Sequence, residues 1–203
     1  MTPLALIIDD DDAIRDALAW LLKSRGVPSR SWPSGEAFLA DYSPALRGCL
    51  ILDIRMGGMS GTELFDELLA RQCPLPVIFL TGHGDIPLAV STLKQGAFDF
   101  VEKPFNDNEL VDRVLRAMEA DALREAARAS SAEVEARAAQ LTSREREVME
   151  LIVEGLFNKV IADRLGIAVR TVEVHRARVF EKMGVRSAVE LVQVLRSAKK
   201  PAP

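Results

Sequence analysis

Apolar residues in the first hundred positions come in short runs, at 4–8, 49–52, 77–80 and 98–101, with a weaker run at 29–32. Helix-like segments lie between them, over 13–24, 35–40, 62–71, 86–95 and 107–120. This strand–helix rhythm predicts a doubly wound, five-stranded parallel sheet with helices on both faces. Near-continuous apolar runs such as Val77-Ile78-Phe79-Leu80 suit strands covered on both sides. Ligands of such sheets sit at the carboxyl ends of the strands. Asp9, Asp10, Asp53 and Thr81 fall at or just past strand ends, and Lys103 follows the last strand by two residues.

The pattern then changes. Residues 121–137 are rich in Ala, Glu and Arg, contain no Gly or Pro, and offer little apolar face. They read as a helical linker, with Ser130–Ser131 as its soft point. From residue 138 the signals are those of a bundle of four short helices. Thr142 and Glu145 match a capping box, with Leu141 placed as a hydrophobic staple. That helix runs through Val148, Leu151 and Ile152 to a stop at Gly155. Asn158 is expected to cap a second helix over 159–165, closed by Gly166. A third spans 169–183 and ends at Gly184, and Ser187 with Glu190 forms a box for a fourth, to about 197. Short helices with glycine turns describe a helix-turn-helix unit. The expected domains are thus 1–120, a linker at 121–137, and 138–203.

Charge separates the same two parts. Residues 1–120 carry 11 Lys+Arg against 18 Asp+Glu, a net −7, and residues 141–203 carry 12 against 8, a net +4. The basic part is the candidate for nucleic acid. No apolar run reaches membrane-spanning length and the N-terminus has no signal-type segment, so a cytoplasmic protein without a membrane partner is expected. Cys49 and Cys73 form no metal or redox motif and read as reduced thiols.

Asp9 to Asp12 put four carboxylates at the end of an apolar strand. Ionised carboxylates this close repel, and a bound cation is one remedy. One or two carboxylates, with water and phosphate completing the shell, suit Mg²⁺. A solvated helix start is the plainer alternative, and Asp11 and Asp12 fit it as cap and first-turn charge.

The set Asp9-Asp10, Leu50-Ile51-Leu52-Asp53-Ile54-Arg55-Met56, Phe79-Leu80-Thr81-Gly82-His83-Gly84-Asp85 and Asp99-Phe100-Val101-Glu102-Lys103-Pro104-Phe105 resembles the receiver domain of two-component response regulators. Residues 158–166 together with Thr171-Val172-Glu173-Val174-His175 resemble a LuxR-type helix-turn-helix, and the pair resembles the FixJ/NarL group. The resemblance implies a flavodoxin-like receiver whose Asp53 accepts a phosphoryl group from a histidine kinase. Asp9, Asp10, Asp53 and the Arg55 backbone carbonyl would hold Mg²⁺. Lys103 would neutralise charge on the phosphoryl group in transfer. Thr81 would bind a phosphoryl oxygen, Phe100 would be the switch aromatic, and Lys103–Pro104 would be cis. Arg55 and His83 would flank the phosphoryl group and tune its lifetime. In place of the usual Arg-Met-Pro-Gly the chain has Arg55-Met56-Gly57-Gly58, which predicts a looser loop.

For the third helix of the second part, placing Val172 inward puts Val179 and Met183 on the core face, with His175 and Arg176 flanking. Arg170, Glu173, Val174 and Ala177 then point outward, with Thr171 and Arg178 on one edge. Glu173 could read a cytosine and Val174 a thymine methyl of double-stranded promoter DNA. Arg170 could meet phosphate or base, and Lys159, Thr171, Arg176 and Arg178 suit phosphates. Ala177 lacks the polar group usual there, and Ala168 lacks the usual serine cap, a loss of ~1 kcal/mol. Val189, Val192 and Gln193 offer a face for a homodimer formed on phosphorylation. RNA polymerase is a further expected partner. The expected role is transcriptional regulation, not enzymatic turnover. A Mg²⁺ phosphohydrolase and a phosphorylation-independent regulator are the alternatives.

Overall fold

The computed structural model describes residues 2–82 and 86–199. Five parallel strands, β1 (Leu4–Ile8), β2 (Ser29–Trp32), β3 (Gly48–Asp53), β4 (Val77–Thr81) and β5 (Asp99–Glu102), form one sheet in the order β2-β1-β3-β4-β5. Helices α1 (Asp12–Ser24), α2 (Gly35–Asp41), α3 (Gly61–Ala70) and α4 (Ile86–Gln95) connect them, and α5 (Asp107–Ala139) follows the last strand. Register pairs Ile8 with Leu52 and with Trp32, Asp53 with Leu80, and Thr81 with Glu102, so the strand ends lie level along one edge.

The two-residue period of the strands divides the core into two layers. Ala5, Ile7, Cys49, Ile51, Ile78, Leu80 and Val101 pack with Leu18 and Leu22 of α1 and with Leu110 and Val114 of α5. Leu6, Ile8, Leu50, Leu52 and Phe79 point the other way, onto Phe38 of α2 and Leu64, Phe65 and Leu68 of α3. Local chemistry starts the helices. Asp11 caps α1 by accepting from the Ala13 and Ile14 amides, Ser34 caps α2, and Ser60 with Glu63 forms a capping box on α3.

The chain divides into two compact units, 1–123 and 124–203. Helix α5 is 33 residues long and runs without a break through the expected linker. Asp121 is buried in the first unit, where its Oδ2 accepts from Arg47 Nε at 3.1 Å and from the Gly48 amide at 2.9 Å. Val134 is buried in the core of the second unit with Leu141 and Val148. Ser130–Ser131, expected to be soft, is regular helix, and Ser131 Oγ donates to the Ala198 carbonyl.

The second unit continues with α6 (Ser143–Val153), α7 (Asn158–Leu165), α8 (Val169–Met183) and α9 (Ala188–Lys199) around Val148, Ile152, Ile161, Val172, Val179, Met183 and Leu191. The Thr142–Glu145 box is present, and Gly166 and Gly184 close their helices in the left-handed conformation. One cap differs from expectation. Asn158 is the first residue of α7, and the N-cap position is held by Phe157, which has no side-chain acceptor to offer. The Ser187 box is half formed: Ser187 Oγ accepts from the Glu190 amide, while the Glu190 carboxylate turns to the Arg186 amide. Among the described residues no helix is long and apolar enough to cross a membrane.

Candidate functional site

The level strand ends bring together residues far apart in sequence. Asp9 directly follows β1 at 1% exposure and Asp53 ends β3 at 7%. Lys103 spans them, with Nζ 2.9 Å from Asp9 Oδ2 and 2.7 Å from Asp53 Oδ1. Its own amide donates to the Thr81 carbonyl at 2.7 Å, which ties the lysine to the end of β4, and the Lys103–Pro104 bond is cis. The carboxylates have backbone donors as well: the Asp11 amide reaches Asp9 Oδ1, and the Arg55 amide reaches Asp53 Oδ2, each at 2.9 Å.

Burial pushes the Asp53 carboxyl above its ordinary value. The Lys103 ammonium opposes that push, and the neighbouring Asp9 charge adds to it. For Lys103 burial acts downward, but hydrogen bonds to Asp53 and Asp9 outweigh it and hold the ammonium above its ordinary value. One ammonium faces two buried carboxylates, so the pocket keeps a net negative charge that suits a hard cation. Asp9, Asp10 and Asp53 offer carboxylates, and Arg55 a backbone carbonyl, of the oxygen kind that Mg²⁺ takes. Among the described residues no three His, Cys, Asp or Glu side chains converge as a ready-made metal cluster. Asp10 is exposed, and its Oδ2 accepts from the Gly57 amide at 2.9 Å.

Thr81 is fully buried and its hydroxyl donates to the Val101 carbonyl at 3.4 Å. Phe100 is half-buried against the α2–α3 layer, and its carbonyl accepts from Arg113. His83 lies outside the described residues. The loop after Asp53, expected to be loose, is tied on two sides. Gly57 binds Asp10, and the Met59 amide donates to Glu36 Oε1 at 2.9 Å.

On α8 the inward residues are Val172, Val179 and Met183, all fully buried. Arg170, Thr171, Glu173, Val174, Ala177 and Arg178 are exposed, as is Lys159 on α7. Arg170 and Glu173 pair at 3.0 Å. Arg176 is half-buried over the Phe180 ring, and burial lowers its guanidinium below the ordinary value. Ala168 stands at the N-cap of α8 without a side-chain hydrogen bond. On α9, Val189 and Gln193 are exposed and Val192 half-buried.

Residues 5–115 match the response regulator receiver domain, and residues 139–195 match the bacterial regulatory proteins of the luxR family. This chain is a response regulator. It is 56% identical over 190 residues to the C4-dicarboxylate transport transcriptional regulatory protein DctR of Rhodobacter capsulatus, covering 93% of this chain and 96% of that one. It is 48% identical over 188 residues to the transcriptional regulatory protein FixJ of Azorhizobium caulinodans, covering 93% and 89%. Among solved structures, response regulator StyR matches with a TM-score of 0.88 at 40% identity, over 97% of this chain and 99% of that one. Full-length FixJ from B. japonicum matches with a TM-score of 0.61 at 42% identity, over 98% of each. The family consists of transcriptional regulators rather than enzymes.

Some residues that shape the response regulator's pocket are not marked by charge or motif chemistry. Gly61 opens α3 against the end of β3, and a Cβ there would stand 2.1 Å from the Asp53 carbonyl oxygen. Glu36 holds the Met59 amide from α2, 23 positions away in sequence. Only the Gly58-Met59-Ser60-Gly61 spacing hints at the first, and no sequence signal hints at the second.

Proposed function

We propose that the chain is a phosphorylation-switched, DNA-binding transcriptional regulator of the cytoplasm. Asp53 takes the phosphoryl group of a histidine kinase: an Asp53 oxygen bonds to phosphorus as the phosphorus–nitrogen bond of the donor histidine breaks. The observation that carries this reading is the Lys103 ammonium shared between Asp9 and Asp53, which sets a fixed positive charge beside the candidate nucleophile. Preorganised charge of this kind lowers the barrier for an anion attacking an anion. Asp9, Asp10, Asp53 and the Arg55 carbonyl would hold Mg²⁺, which when bound neutralises phosphoryl oxygens. Thr81 exchanges its bond to Val101 for a phosphoryl oxygen, and Phe100 repacks with it. The phosphorylated receiver then favours a homodimer, with Val189, Val192 and Gln193 meeting their counterparts. Two α8 helices enter successive major grooves of promoter DNA, where bound dimers engage RNA polymerase. Arg170, Glu173, Val174 and Ala177 face the bases, and Lys159, Thr171, Arg176 and Arg178 the phosphates.

The test uses full-length wild type and Asp53→Asn with Mg²⁺ and a small-molecule phosphodonor. Wild type should acquire one phosphoryl group, shift toward dimer in sedimentation, and gain at least tenfold in DNA affinity, about 1.4 kcal/mol. Asp53→Asn should do none of these. Equal DNA affinity and dimerisation of the variant and the treated wild type would favour the phosphorylation-independent regulator instead.

A further inference from the structure

We infer that Gly57 is a positioning residue that sets the affinity of the acidic pocket for its divalent cation, through its backbone N–H. The inference rests on the cation reading given above and concerns this chain's own departure from the usual loop sequence. A proline at position 57 would have no amide hydrogen. Glycine supplies one, and it is used: the Gly57 N–H donates to Asp10 Oδ2 at 2.9 Å. Asp9 and Asp53 meet at the Lys103 ammonium, while Asp10 is turned to the loop that follows the phosphoacceptor. The loop itself is held in place from the other side by Glu36 on the Met59 amide, so the donor at Gly57 does not swing freely. A carboxylate oxygen that accepts a hydrogen bond shares electron density with the donor and is held in one rotamer by it. The bond holds Asp10 toward the loop, and turning it to a cation shared with Asp9 and Asp53 competes with that hold.

The geometry permits a clean comparison of variants. Alanine at 57 keeps the N–H, and its Cβ would stand 3.6 Å from Asp10 Oδ2, an ordinary contact. Proline removes the N–H. Both reduce the freedom of the unfolded loop, and of the two only proline removes the hydrogen-bond donor.

Mg²⁺ binding to full-length wild type, Gly57→Ala and Gly57→Pro is measured by calorimetry. Gly57→Pro should bind about three- to tenfold more tightly than wild type, and Gly57→Ala within twofold of it. Equal affinities for all three, or weaker binding by Gly57→Pro, overturn the inference. A second measurement needs no variant. In the ¹⁵N-labelled wild-type chain, the Gly57 amide should exchange with solvent faster when Mg²⁺ is added, and unchanged or slower exchange also overturns it. If wild type takes up no Mg²⁺ at all, the cation reading itself fails and the role of Gly57 falls with it.

Discussion

Asp53 shows how the pocket trades stability for chemistry at the level of a single residue. Its carboxyl is held above the ordinary value of 3.8, first by burial and then by the Asp9 charge, against the pull of Lys103 and the Arg55 amide. A raised value means that the folded chain holds this proton to higher pH than the unfolded chain does. The ionised carboxylate therefore costs stability at neutral pH, and the cost disappears as pH falls below about 3.8. Asp53→Asn should raise the melting temperature of the receiver at pH 7, with the gap to wild type closing in acid. A lower melting temperature for the variant at pH 7 would mean that the Lys103 pairing outweighs the burial.

At the scale of elements, an ion pair from a buried glutamate ties two helices of the second unit together. Glu145 of α6 is 2% exposed, lies 2.6 Å from Lys182 of α8, and also accepts from the Thr142 amide that opens its own helix. The Lys182 ammonium, helped by that amide, holds the Glu145 carboxyl down at about 2. A depressed value contributes stability that is present above the ordinary 4.5 and is lost as pH falls toward about 2. Glu145→Gln should thus destabilise the second unit at pH 7 by roughly 1.5–3 kcal/mol, the range for a hydrogen bond to a charged group. It should also flatten the unit's acid transition between these two pH values, read by circular dichroism. An acid transition as steep as in wild type would assign the dependence to other carboxylates. The neighbouring α8 offers the opposite change. Ala168 has the extended backbone of an N-cap but no oxygen to accept with, so Ala168→Ser should add ~1 kcal/mol to thermal stability.

For the whole molecule, α5 is the covalent route from one unit to the other. The Arg47–Asp121 pair lies within the first unit, and Val134 lies in the core of the second. Between them Ala122 and Leu123 are exposed, so glycine at both leaves each core intact while weakening the helix by roughly 1 kcal/mol per position. The gain in DNA affinity on phosphorylation should fall at least twofold in this double variant, with the unphosphorylated affinity unchanged, as measured by DNA titration. A full gain would show that the signal does not need a stiff α5.

The sequence by itself determined whatever depends on neighbours along the chain. Apolar runs and helical segments set the order of strands and helices, because burial on two faces demands that alternation. The Thr142–Glu145 box and the glycine stops are likewise local, each closing within a few residues. That Asp9, Asp53 and Lys103 share an edge was also legible, since strands that all run the same way end together. Tertiary structure alone decided which atoms meet there. Lys103 bonds carboxylates 94 and 50 positions away, Arg47 finds Asp121 across 74, and Lys182 finds Glu145 across 37. Asp10 and Gly57 give the sharpest case. The missing proline was visible in the sequence and suggested a loose loop. Only the packing of that loop between α2 and the end of β1 turned the freed amide toward a carboxylate 47 positions away. A backbone donor has no sequence signature, because every residue but proline carries one, and only the fold determines what it faces.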